Sequence, residues 1–298
     1  MVSTRETIVH GPETVSWRVI LDPLMVVAGV RALMLQALHP TTMRGVWQNS
    51  NFLEEPLQRL FNTANFVAVT TVGTPEQADA LGARVRAVHK RLRIKDPDTG
   101  RTHRVDEPEL LLWVHCAEVS SYLEVITRRG LKLTPEEIDA YYDEQRHTAT
   151  YVGLHEEDVP GSAAEMAEYF EQFRKELRVI PESRATVRFL LWPKMPRKLR
   201  FLAPFKFMWF PIGAMAYYTL PKWARELYGA LPEVPGVQPV VTLGLKLNRI
   251  GVRAVPEEIR ARAFNPETRK LMDDLLHRLR AHGIKPRRNL QKLRITSS

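Results

Sequence analysis

Three groups of residues have types and spacings that could do chemistry. His89 lies in Arg84-Val85-Arg86-Ala87-Val88-His89-Lys90, at the edge of an apolar stripe made by Leu81, Val85, Val88 and Leu92. Arg86, Lys90 and Arg93 follow one another at spacings of four and three, which on a helix gives a basic face beside the imidazole. An inward imidazole next to such a face suits a haem: the ring nitrogen binds iron and the cations meet the propionates. A histidine on an apolar face is also what a hydrogen-bonded core residue looks like, so spacing alone leaves both readings open.

His115 belongs to the stripe Leu111, His115, Val119, Tyr122, Ile126, which should turn it inward. It forms an HxxE pair with Glu118, and Glu144 forms an ExxH pair with His147 on the next helix. Facing pairs of this kind build di-iron sites, although the full recipe needs two ExxH motifs and two further glutamates. His115, Glu118, Glu144 and His147 are therefore an alternative, non-haem iron set, beside the plainer reading of His115 as a hydrogen-bonded core residue. The third group is Arg59, Asn62, Thr63 and Phe66, at offsets of three, four and seven. An arginine with a hydroxyl one turn away could steady a gas ligand or an oxygenated intermediate, or be an ordinary polar flank. His10, His103, His155, His277 and His282 fall in loops, near termini or on polar faces and read as background. His39, in Ala37-Leu38-His39-Pro40, reads as the C-terminus of a core helix.

The elements that must position these groups read as helices. Thr74-Pro75-Glu76-Gln77 and Thr134-Pro135-Glu136-Glu137 each offer a hydroxyl cap, a proline at the first helical position and a side chain able to complete a capping box. Asp106 with Glu109, Ser162 with Glu165, and Asn265-Pro266-Glu267 read the same way. Gly130, Gly153 and Gly229 fall where helices should stop. The spacing predicts helices near 22–39, 53–70, 75–95, 107–129, 134–152, 162–178, 182–192, 205–219, 237–249 and 266–281. No series of alternating strands closed by Asn-Gly or Asp-Gly turns is visible, and no repeat at solenoid period. The expected fold is an all-α, single-domain bundle over residues 1–298.

Composition agrees with an ordinary globular chain: 298 residues, 44% hydrophobic and 26% charged, which excludes collagen-like, disordered and mini-protein classes. A single cysteine, Cys116, excludes a disulfide framework or an iron–sulfur cluster held by this chain alone. The first twenty residues lack a basic region followed by an apolar run, and together these features favour the cytosol. The net charge of +9 is local. Arg278, Arg280, Lys285, Arg287, Arg288, Lys292 and Arg294 follow the last acid, Asp274, so a basic tail spans 278–298. Neither zinc-ligand spacing nor an RNA-binding or helix-turn-helix pattern accompanies it, which disfavours nucleic acid as a partner. Leu24 to Leu38 is apolar but short and interrupted by Arg31 and Gln36, so it reads as a central buried helix and not a membrane span. Phe201 to Leu220 is rich in aromatics and broken by Pro204, Lys206 and Pro211. It could wall an apolar ligand, meet a lipid surface together with the basic tail, or be irregular core.

The order of these elements resembles the oxygenase MpaB family, which includes the bacterial latex-clearing protein (rubber oxygenase). The residues that carry the resemblance are Arg31-Ala-Leu-Met-Leu-Gln-Ala-Leu-His39-Pro40, Arg59-Leu-Phe-Asn-Thr63, Arg84-Val-Arg-Ala-Val-His89, Asp106-Glu-Pro-Glu-Leu-Leu-Leu-Trp-Val-His115 and Leu220-Pro-Lys-Trp-Ala-Arg-Glu-Leu-Tyr-Gly229, spread over roughly residues 15–230 and closest to short actinobacterial members. The resemblance implies a helical fold around haem b and use of dioxygen on a lipophilic, isoprenoid or alkene-containing substrate. It puts the proximal haem histidine at His89, and the distal arginine and threonine at Arg59 and Thr63. The lysine that some latex-clearing enzymes carry falls on Asn62, which cannot act as an ammonium donor, and no equivalent of the acidic base proposed for rubber cleavage is evident. Rubber itself is accordingly not the expected substrate.

Overall fold

The computed structural model describes residues 8–50, 56–193, 203–229 and 235–254, with the backbone alone at 56–61, 203–208 and 248–254. Twelve α-helices make up nearly all the regular structure among the described residues: α1 (Val15–Ile20), α2 (Met25–Gln36), α3 (Pro40–Asn49), α4 (Pro56–Val72), α5 (Pro75–Arg91), α6 (Pro108–Arg128), α7 (Pro135–Thr150), α8 (Ala163–Phe173), α9 (Pro181–Leu191), α10 (Ala203–Tyr218), α11 (Lys222–Leu227) and α12 (Val237–Ala254). The fold is all-α, as expected. A small antiparallel hairpin, β1 (Arg93–Lys95) with β2 (Thr102–Arg104), ends the helical pattern expected to run to 95. Gly100 adopts φ +71° in its turn, a conformation open to glycine. The helix expected at 266–281, and the cap at Asn265, lie outside the described residues, as do His277, His282 and the basic tail.

The capping signals explain where the helices start. Thr74 accepts from the Gln77 amide while the Gln77 side chain accepts from Thr74, and Thr134 with Glu137 repeats the arrangement. Ser162 accepts from the Glu165 amide as expected. Asp106 does not cap α6: its carboxylate is taken by Arg104, and Glu107 occupies the cap position. His39 also departs from expectation. The chain turns at Leu38 and His39 becomes the N-cap of α3, its Nδ1 accepting from the Thr42 amide at 3.2 Å. The Pro40 that ends the preceding helix is the residue that starts this one.

Helix α2 is the central element. Leu24, Val27, Ala28, Met34, Leu35 and Leu38 are fully buried against α6, α9 and α10. Each such leucine contributes about 1.5–3 kcal/mol of burial. The polar residues that interrupt the apolar run are what tie it down. Arg31 donates to the Thr219 carbonyl at 3.0 Å and to Ser121 Oγ at 2.6 Å. Gln36 donates to the Val114 carbonyl, and Trp113 Nε1 donates back to the Gln36 carbonyl, both at 3.1 Å. Helix α6 is long and apolar enough to cross a membrane, but most of it is buried inside this core, which accounts for its composition.

The remaining elements frame a space beside α6. Helix α1 is fixed to α7 by Glu144, whose carboxylate accepts from the Val15 and Ser16 amides. The hairpin is fixed to α3 by Arg44, which binds Asp96 and Asp98. Helix α5 comes against the end of α7 at Gly82, where a β-carbon would sit 2.8 Å from the Tyr151 carbonyl oxygen.

Candidate functional site

Helices α1, α3, α4, α5, α6 and α7 and strand β1 enclose a cavity of about 220 Å³, far larger than a buried-water site. Its walls are mostly apolar, with Ile20, Val46, Phe66, Val67, Ile94, Leu111 and Val119 among them. Both His89 from α5 and His115 from α6 line it. Several of its polar side chains are already committed elsewhere. Thr70 and Thr71 donate to the Phe66 and Val67 carbonyls of their own helix, Asn49 donates to the Gly45 and Arg93 carbonyls, and Gln145 donates to Ser16.

His115 is buried, and its Nε2 has no hydrogen-bond partner. Burial pushes its pKa down to about 4, while the Gln145 backbone carbonyl acts in the opposite direction. The ring is therefore neutral at neutral pH, the form that can present a lone pair to a metal. Glu118, one turn on, also lines the cavity; burial raises its carboxyl pKa, and Tyr122 Oη donates to it and lowers it.

His89 is half-buried in the last turn of α5. The stripe expected to bury it is only partly inward, since Leu92 lines the cavity while Val88 is 54% exposed. On the same helix Arg86 is half-buried and donates to the Tyr151 carbonyl at 2.9 Å, and Lys90 is exposed. Of the third group, Phe66 lines the cavity, whereas Asn62 and Thr63 are exposed. Thr63 precedes Val67 and Thr70 by four and seven residues, so it continues their stripe toward the start of α4. The side chain of Arg59 lies outside the described residues.

The chain matches the family model described as ER-bound oxygenase mpaB/B′/rubber oxygenase, catalytic domain, over residues 17–242. The chain belongs to this oxygenase family. The match begins inside α1, takes in the other elements around the cavity and ends inside α12. Neither the curated proteins nor the solved structures return a match.

For this mpaB/rubber-oxygenase family member, the alternative iron set is not assembled. Glu144 is spent capping α1, and His147 is exposed and bound to Glu156 at 2.9 Å and to Tyr151 Oη at 3.2 Å. Only His115 and Glu118 of the four line the cavity, and no cluster of three or more histidine, cysteine or acidic residues able to hold a metal occurs among the described residues. The aromatics of 201–218 with described side chains do not line the cavity either. Trp209 donates to the Leu190 carbonyl at 2.8 Å, and Phe210 lies at the surface against Trp192.

One buried histidine carried no usable sequence signal. His10 was expected to be background but is buried, with Nε2 3.0 Å from Thr148 Oγ1. It sits beside a glycine and far from any periodic segment, so only the tertiary contact reveals it. Gly82 and Gly45 carry no local signal either. Each permits the close approach of a neighbour, Tyr151 at Gly82 and the cavity-lining Ile94 at Gly45.

Proposed function

We propose that the protein is a haem b-dependent oxygenase acting on a lipophilic, isoprenoid or other alkene-containing substrate. The observation that carries this reading is the presence of His89 in the wall of an apolar cavity, within a chain that belongs to an oxygenase family. The donor set fits a haem: imidazoles from two helices, one with a bare buried nitrogen, stand among apolar walls, and Arg86 and Lys90 share a helix with His89. Haem held there supplies the activation of dioxygen.

The chain's own residues divide the remaining work. His89 would hold the iron through its imidazole. Arg86 and Lys90 offer positive charge to the propionates, Arg86 with one guanidinium nitrogen already given to Tyr151. Arg59 and Thr63, on α4 ahead of the cavity-lining Phe66, would supply a cation and a hydroxyl donor for negative charge on oxygen. Phe66, Val67 and Leu111 hold the hydrocarbon part of the substrate and keep water away. Lipophilic substrates concentrate in membranes, and a peripheral membrane contact suits the exposed Trp192, Phe210, Val240, Leu243 and Leu247 together with the basic tail.

The test is the ultraviolet–visible spectrum of the purified protein, as isolated and after dithionite with carbon monoxide. A Soret band that shifts on adding carbon monoxide is expected, followed by oxygen uptake that depends on an alkene. Absence of a Soret band even after haem titration overturns the reading. Haem with no substrate-dependent oxygen uptake leaves a non-catalytic haem-binding protein. His89→Ala is expected to lose haem while keeping its helical content, and full haem loading in that variant overturns the assignment of His89.

A further inference from the structure

His115 does not behave as an ordinary core histidine. It is 8% exposed, and its Nε2 is buried without a hydrogen-bond partner in the wall of the cavity. Leaving a buried polar atom unsatisfied costs about 1–3 kcal/mol. A histidine kept only for packing has no reason to carry that cost, because leucine fills similar space without it. Elsewhere on the ring, the Gln145 backbone carbonyl favours the protonated form against the effect of burial. A neutral imidazole can carry its lone pair on Nε2, and an Nε2 with no hydrogen-bond partner has that lone pair to give to a metal.

Hydrogen bonds pin the helix on both sides of the ring. Two residues before it, Trp113 donates to the Gln36 carbonyl, and the Val114 carbonyl accepts from Gln36. Six residues after it, Ser121 accepts from the buried Arg31. Glu118, the neighbouring polar group on the same wall, is engaged by Tyr122 and not by His115. His89 reaches the same cavity from a different helix, α5, whose position is set by Gly82 and Arg86 against Tyr151.

We propose that His115 is a second axial base, so that the resting protein is a six-coordinate haem protein with His89 and His115 as its two iron ligands. This rests on the reading of the cavity as a haem site. It assigns to the chain an internal ligand that external gases must displace, and so a gate on dioxygen entry placed on the largely buried helix α6.

The experiment is low-temperature electron paramagnetic resonance and visible spectroscopy of the ferric holoprotein, with stopped-flow carbon monoxide binding to the ferrous form. Wild-type protein is expected to be low-spin. His115→Ala should retain haem, become high-spin, return to low-spin on adding imidazole, and bind carbon monoxide about tenfold or more faster, because the competent fraction is no longer reduced by the internal ligand. His115→Gln keeps a polar side chain in the same place and should lose the low-spin signal with unchanged circular dichroism. A high-spin wild-type protein, or a low-spin spectrum unchanged in both variants, overturns this proposal and leaves the haem reading intact. Wild-type protein that takes up no haem overturns the reading beneath it.

Discussion

Arg86 donates through its guanidinium to the Tyr151 backbone carbonyl at 2.9 Å, and that oxygen is also the atom a β-carbon at Gly82 would meet at 2.8 Å. One carbonyl therefore sets the distance between α5 and the end of α7, four residues along α5 from one contact to the other. His89 follows Arg86 by three residues, so its reach into the cavity depends on this contact.

Gly82→Ala should push α5 away from Tyr151, because the obstacle is backbone and cannot rotate aside. Overpacking of this kind costs about 1–3 kcal/mol. The expected outcome is a lower denaturation midpoint with helical content retained, together with weaker haem uptake in titration. Gly130→Ala serves as a comparison that leaves the site alone, since Gly130 has φ +115° and nothing near its β-carbon position. It should lose stability through backbone strain and keep haem uptake unchanged.

Arg31 is buried among apolar side chains, and burial lowers its pKa to about 10, still protonated at neutral pH. Its hydrogen bonds to the Thr219 carbonyl and Ser121 join α2, α6 and the end of α10. Arg31→Leu removes both and strands the carbonyl. The expected loss is about 3 kcal/mol or more, from the known worth of charge-assisted hydrogen bonds. Ser121→Ala should cost about 1 kcal/mol on the same scale. Urea denaturation followed by circular dichroism measures both, and equal losses in the two variants would contradict the stated hierarchy.

Much of this architecture was legible in the residues. The capping boxes at Thr74 and Thr134 and the apolar run around Arg31 announced helices that the fold contains, because caps and periodicity are local signals. Three features were not legible. Asp106 lost its expected cap role to a pairing with Arg104, His39 began a helix where it was expected to end one, and the hairpin after α5 replaced a last helical turn. Asp106 was taken by a near neighbour in sequence, Arg104, while the other two were decided by the chain's direction after a proline or by strand pairing across eleven residues or fewer. The site divides the same way. Helical spacing was enough to turn His115 inward, but not to show that Glu144 would be used up on α1 or that the 201–218 aromatics would stay away from the cavity.

Acid should destabilise the protein in a defined window. His10 and His39 are buried, and burial is the main cause that lowers each pKa to about 4, with His147 adding to it at His10 and Arg178 at His39. A histidine whose folded pKa is depressed binds its proton more readily when unfolded. Stability is thus full above the ordinary value of about 6.5 and falls as the pH drops toward 4, by an amount on the order of 3 kcal/mol for each group. Chemical denaturation at pH 7.5 and pH 5 is expected to show the loss, and His10→Gln, able to keep a bond to Thr148, should reduce it. A midpoint that does not change between the two pH values contradicts the burial of these rings.

The exposed apolar face of α12 allows the membrane contact to be tested apart from the basic tail. Val240, Leu243 and Leu247 are spaced three and four apart and are each more than half exposed, and Lys246 lies among them. On a helix this places them on one side, the pattern that enters a bilayer interface. Leu243→Glu with Leu247→Glu adds two charges to that side without touching the buried Val241 and Leu245, so folding should be unaffected. Co-sedimentation with anionic liposomes is expected to fall several-fold in this double variant and to fall further when residues 278–298 are also removed, because area burial and charge attraction act together. Binding that survives the double variant unchanged but disappears with the tail assigns the contact to charge alone, and binding unaffected by either change removes this surface from consideration.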